Sequence, residues 1–168
     1  MKATIKCGGI AVALTFFISV SAQTVSKCDE KFAEKTMAMG LLEARESELA
    51  KTKAVTLAVK SAASQLAEYH NKANNELKNL ASGKNIYVPG VLSDKEQKMY
   101  DKLARCEGKK FDRRYAGCMK MMHKKGKCKL KKEAKHGKDP ELTSWAKAQI
   151  PIYENHITTL KDACKEIK

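Results

Sequence analysis

Apolar residues recur at intervals of three and four through nearly the whole chain after residue 29, and nowhere do they alternate with polar ones. That spacing is the period of an α-helix with one buried face, and the lack of alternation removes the half-buried strand as a building block. Phe32, Thr36, Met39, Leu42/Glu43, Glu46, Leu49/Ala50 and Lys53 mark a first helix, beginning at Asp29. Gly40 inside it costs about 1 kcal/mol of helix propensity relative to Ala, which points to close packing. Val55, Ala58/Val59, Ala62, Leu66, His70, Ala73, Leu77 and Leu80 mark a second helix, stopped by Gly83. Ser93-Asp94-Lys95-Glu96 reads as a capping box and opens a short helix from Asp94 to about Cys106, closed by Gly108. Phe111, Tyr115, Cys118/Met119 and Met122/His123 share one face of a third long helix, which starts near Phe111 and ends at Gly137. Asp139-Pro140 supplies the N-cap and first residue of the last helix, with a stripe of Leu142, Trp145/Ala146, Ile150, Tyr153, His156/Ile157, Leu160 and Cys164. Pro151 in its interior predicts a kink. The expectation is an all-α fold: a four-helix bundle with one extra short helix between the second and third long helices.

Four ionisable residues break these stripes, one per long helix: Glu43, His70, His123 and His156. If the helices share one interior, the four groups converge in it. Imidazole and carboxylate are good ligands for zinc, iron, copper or nickel, and Asp112, Tyr115, Met119 and Tyr153 are candidates to stand behind them. A di-iron carboxylate site needs Glu-x-x-His pairs. The sole such pair is Glu133/His136, at a helix end and away from the stripes. The other reading of the four is a buried polar network, since a charge or imidazole in a core must find hydrogen-bond partners.

Residues 1–22 read as an export signal: Lys2 and Lys6 precede an apolar run, Ile10 to Val20, and Val20-Ser21-Ala22 offers small residues before a cut. The run is shorter than the ~20 residues a membrane-spanning helix requires. A polar leader, 23–28, then precedes a helical domain, 29–168. The expected location is the periplasm, or outside the cell, where cysteines can pair. Cys28, Cys106, Cys118, Cys128 and Cys164 follow the signal, an odd number, so one thiol is left over or pairs with another chain. An up-down bundle would set the start of the first helix beside the end of the last, which makes Cys28–Cys164 the preferred disulfide.

The net charge is +14, and Arg105 to Lys138 holds fourteen Lys/Arg against Glu107, Asp112 and Glu133. Such a block is an electrostatic footprint for an anionic partner. In an exported protein the expected partners are anionic envelope lipids or polysaccharide, met by Lys124, Lys125, Lys127, Lys129, Lys131 and Lys132. Nucleic acid is not expected, because aromatic residues for base stacking are not interleaved.

Several stretches together resemble an exported bacterial family, the domain of unknown function 4142. They are Gly40-Leu41-Leu42-Glu43 with Leu49-Ala50, His70-Asn71-Lys72-Ala73-Asn74 with Glu76-Leu77, Gly108 with Phe111-Asp112 and Tyr115, His123, Lys138-Asp139-Pro140-Glu141-Leu142, and Pro151 with His156. Tyr69 stands where that family's pattern has an acidic residue, and the lysine run after His123 is unusual for it. The resemblance implies a ferritin-like bundle and export, and no particular activity. No G-x-S-x-G or Cys-x-x-Cys-His motif is present. The functional expectation is therefore a non-enzymatic envelope protein that binds a partner or serves in stress protection. The alternative is a ferritin-like protein binding a transition metal through Glu43, His70, His123 and His156.

Overall fold

The computed structural model describes residues 25–167, so the expected export signal and the start of the polar leader lie outside the described residues. Among the described residues the structure is all-α, with no strand. Its five helices are α1 (Lys27–Lys53), α2 (Leu57–Ser82), α3 (Asp94–Ala104), α4 (Gly108–His136) and α5 (Pro140–Glu166).

Local chemistry sets most of these limits. Ser26 caps α1, its hydroxyl accepting from Asp29 N at 3.2 Å, so the helix begins two residues earlier than expected and takes in Lys27 and Cys28. Both arms of the Ser93/Glu96 capping box are formed at the start of α3. Asp139 accepts from the backbone N–H of Glu141 and Leu142, with Pro140 at the first helical position of α5. Gly108 does not close the short helix as expected. It opens α4 with φ +53°, a left-handed value that glycine adopts without strain, and Glu107 is the N-cap. α4 also runs through Gly126 to His136. α5 continues through Pro151, which lies on its exposed side.

α1 packs along α2, and α4 along α5; α1 also faces α4, and α2 faces α5. The caps give the directions. Lys53, at the end of α1, donates from Nζ to the Ala104 carbonyl at 2.5 Å and meets Glu107, just before α4, at 2.6 Å. At the other end of the molecule Asp29, near the start of α1, accepts from the N–H groups of Lys138 and Asp139, between α4 and α5. α1 and α4 are therefore antiparallel, and α5 runs the same way as α1. Residues 83–107 carry the chain back to the end where α2 began, with α3 lying against α1.

This return connection overturns the disulfide expectation. α5 is 27 residues long, about 40 Å at 1.5 Å per residue, and it ends where α1 ends rather than where α1 begins. Cys28 and Cys164 sit at opposite ends of the bundle. All five described cysteines are free, and Cys164 Sγ lies 3.9 Å from Lys120 Nζ instead.

The core is layered along the bundle. One apolar cluster, containing Leu42, Val59, Leu66, Phe111, Met119 and Leu160, fills the end where α4 starts. Others, with Met37, Leu77 and Leu142, and with Phe32, Leu130 and Tyr153, fill the opposite end. Each buried Leu or Phe contributes roughly 1.5–3 kcal/mol on removal from water. Between the layers lies a polar one.

Candidate functional site

The polar layer is built from one residue per long helix. Glu43 of α1, His70 of α2, His123 of α4 and His156 of α5 are all buried, Glu43 and His123 completely. Two glycines let the backbones come close enough. A Cβ on Gly40, one turn before Glu43, would stand 2.1 Å from the Asn74 side chain, which is itself one turn beyond His70. A Cβ on Gly126, one turn after His123, would stand 2.5 Å from the Tyr153 ring. α1 therefore meets α2, and Tyr153 meets α4, at the level of the cluster.

The hydrogen-bond geometry separates the nitrogens by role. His123 Nδ1 lies 3.1 Å from the Met119 carbonyl oxygen, which can only accept, so in the neutral ring this nitrogen is assigned the proton. Its Nε2 lone pair then accepts from His156 Nδ1–H at 3.2 Å, which puts the His156 lone pair on Nε2. Glu43 spans two rings: Oε1 is 3.3 Å from His123 Nδ1 and Oε2 is 3.6 Å from His70 Nδ1. Neither contact is a well-formed hydrogen bond. Both Glu43 oxygens and His70 Nε2 are buried without a hydrogen-bond partner. One nitrogen from each of His70, His123 and His156 lies within 4.8 Å of the others.

Electrostatics keep the cluster uncharged. Burial holds His70 well below its ordinary value, with His123 and His156 adding to the effect. Burial and His156 bring His123 down to about 3, against the opposing Met119 carbonyl, and burial alone brings His156 to about 4. Burial and the nearby Glu46 push the Glu43 carboxyl well above the usual range, opposed by Lys129. Three neutral imidazoles thus share one small volume. Tyrosines wall it in: Tyr69 is edge-on to His156 at 4.7 Å between ring centroids, and Tyr153 leans on His123 at 4.7 Å.

A family model described as "Domain of unknown function (DUF4142)" matches residues 18–163. The chain belongs to this family. No curated protein and no solved structure matches it. Of the residues that carry the resemblance, Glu43, His70, His123 and His156 form the polar layer in this DUF4142 protein, and others, such as Asp112 and Asp139, lie toward the ends of the bundle.

The four residues expected behind the cluster divide. Tyr153 packs against His123 and His70, and Met119 supplies its carbonyl to His123. Asp112 and Tyr115 stand elsewhere. Asp112 accepts from the N–H groups of Val55 and Thr56 at 3.1 and 2.8 Å and so caps α2, whose own Thr56 provides no side-chain cap. Tyr115 shares a 3.0 Å hydrogen bond with Ser47. Both lie on the same stripe of α4 as His123 but nearer its start; Asp112 is eleven residues away, about 16 Å along the axis. Tyr69 was not expected in the wall. It adjoins His70 in sequence, and its hydroxyl donates to Gln149 Oε1 at 2.5 Å, so only the neighbouring helix reveals its place.

The lysine segment wraps around α4. Lys127 and Lys131 both approach Glu154 of α5, at 3.4 and 3.6 Å. Lys129 and Lys132 line a groove against α1. Lys124 and Lys125 are exposed.

Proposed function

We propose that this protein binds a single transition-metal ion inside a ferritin-like four-helix bundle, with α3 as the extra helix of the long connection. The ligands are His70 Nε2, His123 Nε2 and His156 Nδ1, the His156 proton moving from Nδ1 to Nε2 as the ion replaces the hydrogen bond between the two rings. The observation that carries this reading is the convergence of three buried, neutral imidazoles in which one nitrogen, His70 Nε2, has no partner. A purely structural network would satisfy that atom, because buried polar groups with no partner cost about 1–3 kcal/mol each. The 3.2 Å spacing of His123 Nε2 and His156 Nδ1 matches the roughly 3.3 Å between two ligands 2.0–2.1 Å from a tetrahedral ion.

Glu43 is the positioning residue in this arrangement. Its two oxygens face Nδ1 of His70 and of His123, the ring positions turned away from the ion, in the manner of the carboxylates that orient metal-binding histidines. Neutral nitrogen donors favour zinc, nickel, cobalt or copper over magnesium or calcium. Three protein ligands leave a fourth position for water or a small ligand. The role proposed is binding, in an exported and periplasmic setting, with no turnover assigned. This reading takes precedence over a general envelope-binding role because the basic surface alone defines no such role.

Calorimetric titration of metal-free protein with Zn²⁺ is the direct test. One site per chain is expected, lost in His70→Ala and in His123→Ala, with magnesium giving no heat. Circular dichroism establishes that the variants are folded. A folded wild-type protein that neither binds nor is stabilised by any of the four metals leaves the cluster a polar network and ends the metal reading.

A further inference from the structure

The groove between the start of α1 and the end of α4 is a cavity of about 340 Å³, within the size range of small-ligand sites. Lys31 and Lys35, one turn apart on α1, face Lys129 and Lys132, one turn apart on α4, with Phe32 on the floor. The pairing of α4's lysines with acids is one-sided. On the α5 side Lys127 and Lys131 converge on Glu154. On the α1 side none of the four groove lysines has an ion-pair partner among the described residues. Two carboxyls do line the groove, Asp29 and Glu133. Asp29 is turned to the backbone of Lys138 and Asp139.

We propose that this groove is a binding site for a phosphate-bearing small molecule, whose phosphoryl oxygens bridge the lysines of α1 and α4. Several ammonium groups held in one concave site without counter-ions repel one another and gain by sharing an oligoanion. The mutual repulsion is visible at Lys129, which is held below its ordinary value by partial burial and by Lys35, Lys125 and Lys95, against the attraction of Glu43. A phosphate group presents three or more acceptor oxygens, against two on a carboxylate, and so can meet several lysines from both walls at once. Phe32 would cover the uncharged part of such a ligand. The site is separate from the histidine cluster and does not depend on a metal there.

The test uses inorganic pyrophosphate as the soluble probe, followed by calorimetry with the full chain. Saturable binding with one site is expected, weakening as salt rises. The double variant Lys35→Gln/Lys129→Gln should weaken it at least about tenfold, or about 1.4 kcal/mol. Lys127→Gln/Lys131→Gln removes the same charge from the other face and should leave affinity within about twofold. Equal losses in the two double variants would mean a diffuse charge effect and overturn the site. Absence of saturable binding would overturn it too. Vesicles containing phosphatidylglycerol form the second arm. If pyrophosphate displaces the protein from them, a lipid headgroup occupies the groove. Vesicle binding that ignores both pyrophosphate and the groove variant would place the anionic surface elsewhere and leave soluble phosphate compounds as the groove's only ligand class.

Discussion

Asp29, Asp112 and Glu43 are equally buried, each with none of its surface exposed, yet they stand in opposite circumstances. Asp29 accepts from Lys138 N and Asp139 N and ties the start of α1 to the turn before α5. Asp112 accepts from Val55 N and Thr56 N and ties α4 to the turn before α2. Each clamps one end of the bundle across more than fifty residues of sequence. Glu43, between them, has no hydrogen bond of good geometry and faces two imidazoles. A carboxyl that serves the fold fills its acceptor sites with backbone donors. Glu43 is left open against two histidines, which under the proposed metal reading is where the ion's charge would enter.

The largest expected effect tests the fold side of that contrast. Asp29→Ala should lower the unfolding free energy by about 3 kcal/mol, since it strands two backbone N–H groups at a packed turn. Asp112→Ala should cost nearly as much. Glu43→Gln in metal-free protein should stay within about 1 kcal/mol of wild type, because an unpaired buried carboxyl contributes little that an amide of the same shape does not. Urea denaturation midpoints read all three. If Glu43→Gln is as damaging as Asp29→Ala, the distinction between clamp and open site collapses.

The second effect sharpens the open side. Glu43→Gln should retain one metal per chain but bind it about 10–100-fold more weakly, the usual cost of losing a carboxylate behind a metal-bound histidine. An unchanged affinity would remove Glu43 from the centre and leave three histidines alone.

The third is a pH effect with a definite sign. In metal-free protein His156 protonates in the folded state only near pH 4 but in the unfolded state near 6.5. Between these values the unfolded chain holds more protons, so this residue's contribution is present above pH 6.5 and is lost as the pH falls toward 4. Relative to wild type, His156→Gln should gain up to about 2 kcal/mol of stability at pH 5 and change little at pH 7. The comparison of variant with wild type is needed because the raised carboxyls of Glu43, Glu46 and Glu133 have the opposite slope. A gain that is the same at both values would mean that the imidazole is not held neutral by burial.

These contrasts divide along the line between what a sequence displays and what it hides. Helix periodicity displays a face, so the slots of Glu43, His70, His123 and His156 on their stripes could be read directly, as could the caps at Ser93 and Asp139. A stripe does not display height along the axis. Asp112 and Tyr115 share His123's face, but they end up one to two layers away, serving the turn before α2 and Ser47. Helix order does not display direction either. The 25 residues between α2 and α4 are long enough to return along the bundle, and that return, fixed by Lys53 meeting Glu107 and Asp29 meeting Lys138, is what separates Cys28 from Cys164. The two faces of the lysine segment were present in the spacing 124-127-131 against 125-129-132. Only the positions of Glu154 and of α1 show that one face is partly paired and the other faces a groove without ion pairs.

The smallest expected effect sits beside the Asp29 clamp and probes how far it resembles the open site. Burial, Asp29 and Asp139 together push Glu133 up to about 7. The folded protein keeps this proton until near pH 7, whereas the unfolded chain releases it near 4.5. In that window the folded state binds more protons, so stability falls as the pH rises, and the loss is complete above 7. Glu133 is only 6% exposed, but it lines a groove open to water, and screening there holds the effect below about 1 kcal/mol. Glu133→Gln, which mimics the protonated form, should therefore be neutral at pH 5 and slightly stabilising at pH 8, as read by thermal melts at the two values. Destabilisation at pH 8 would mean that the ionised Glu133 carboxylate pairs with the groove lysines, and that the groove supplies its own counter-ion.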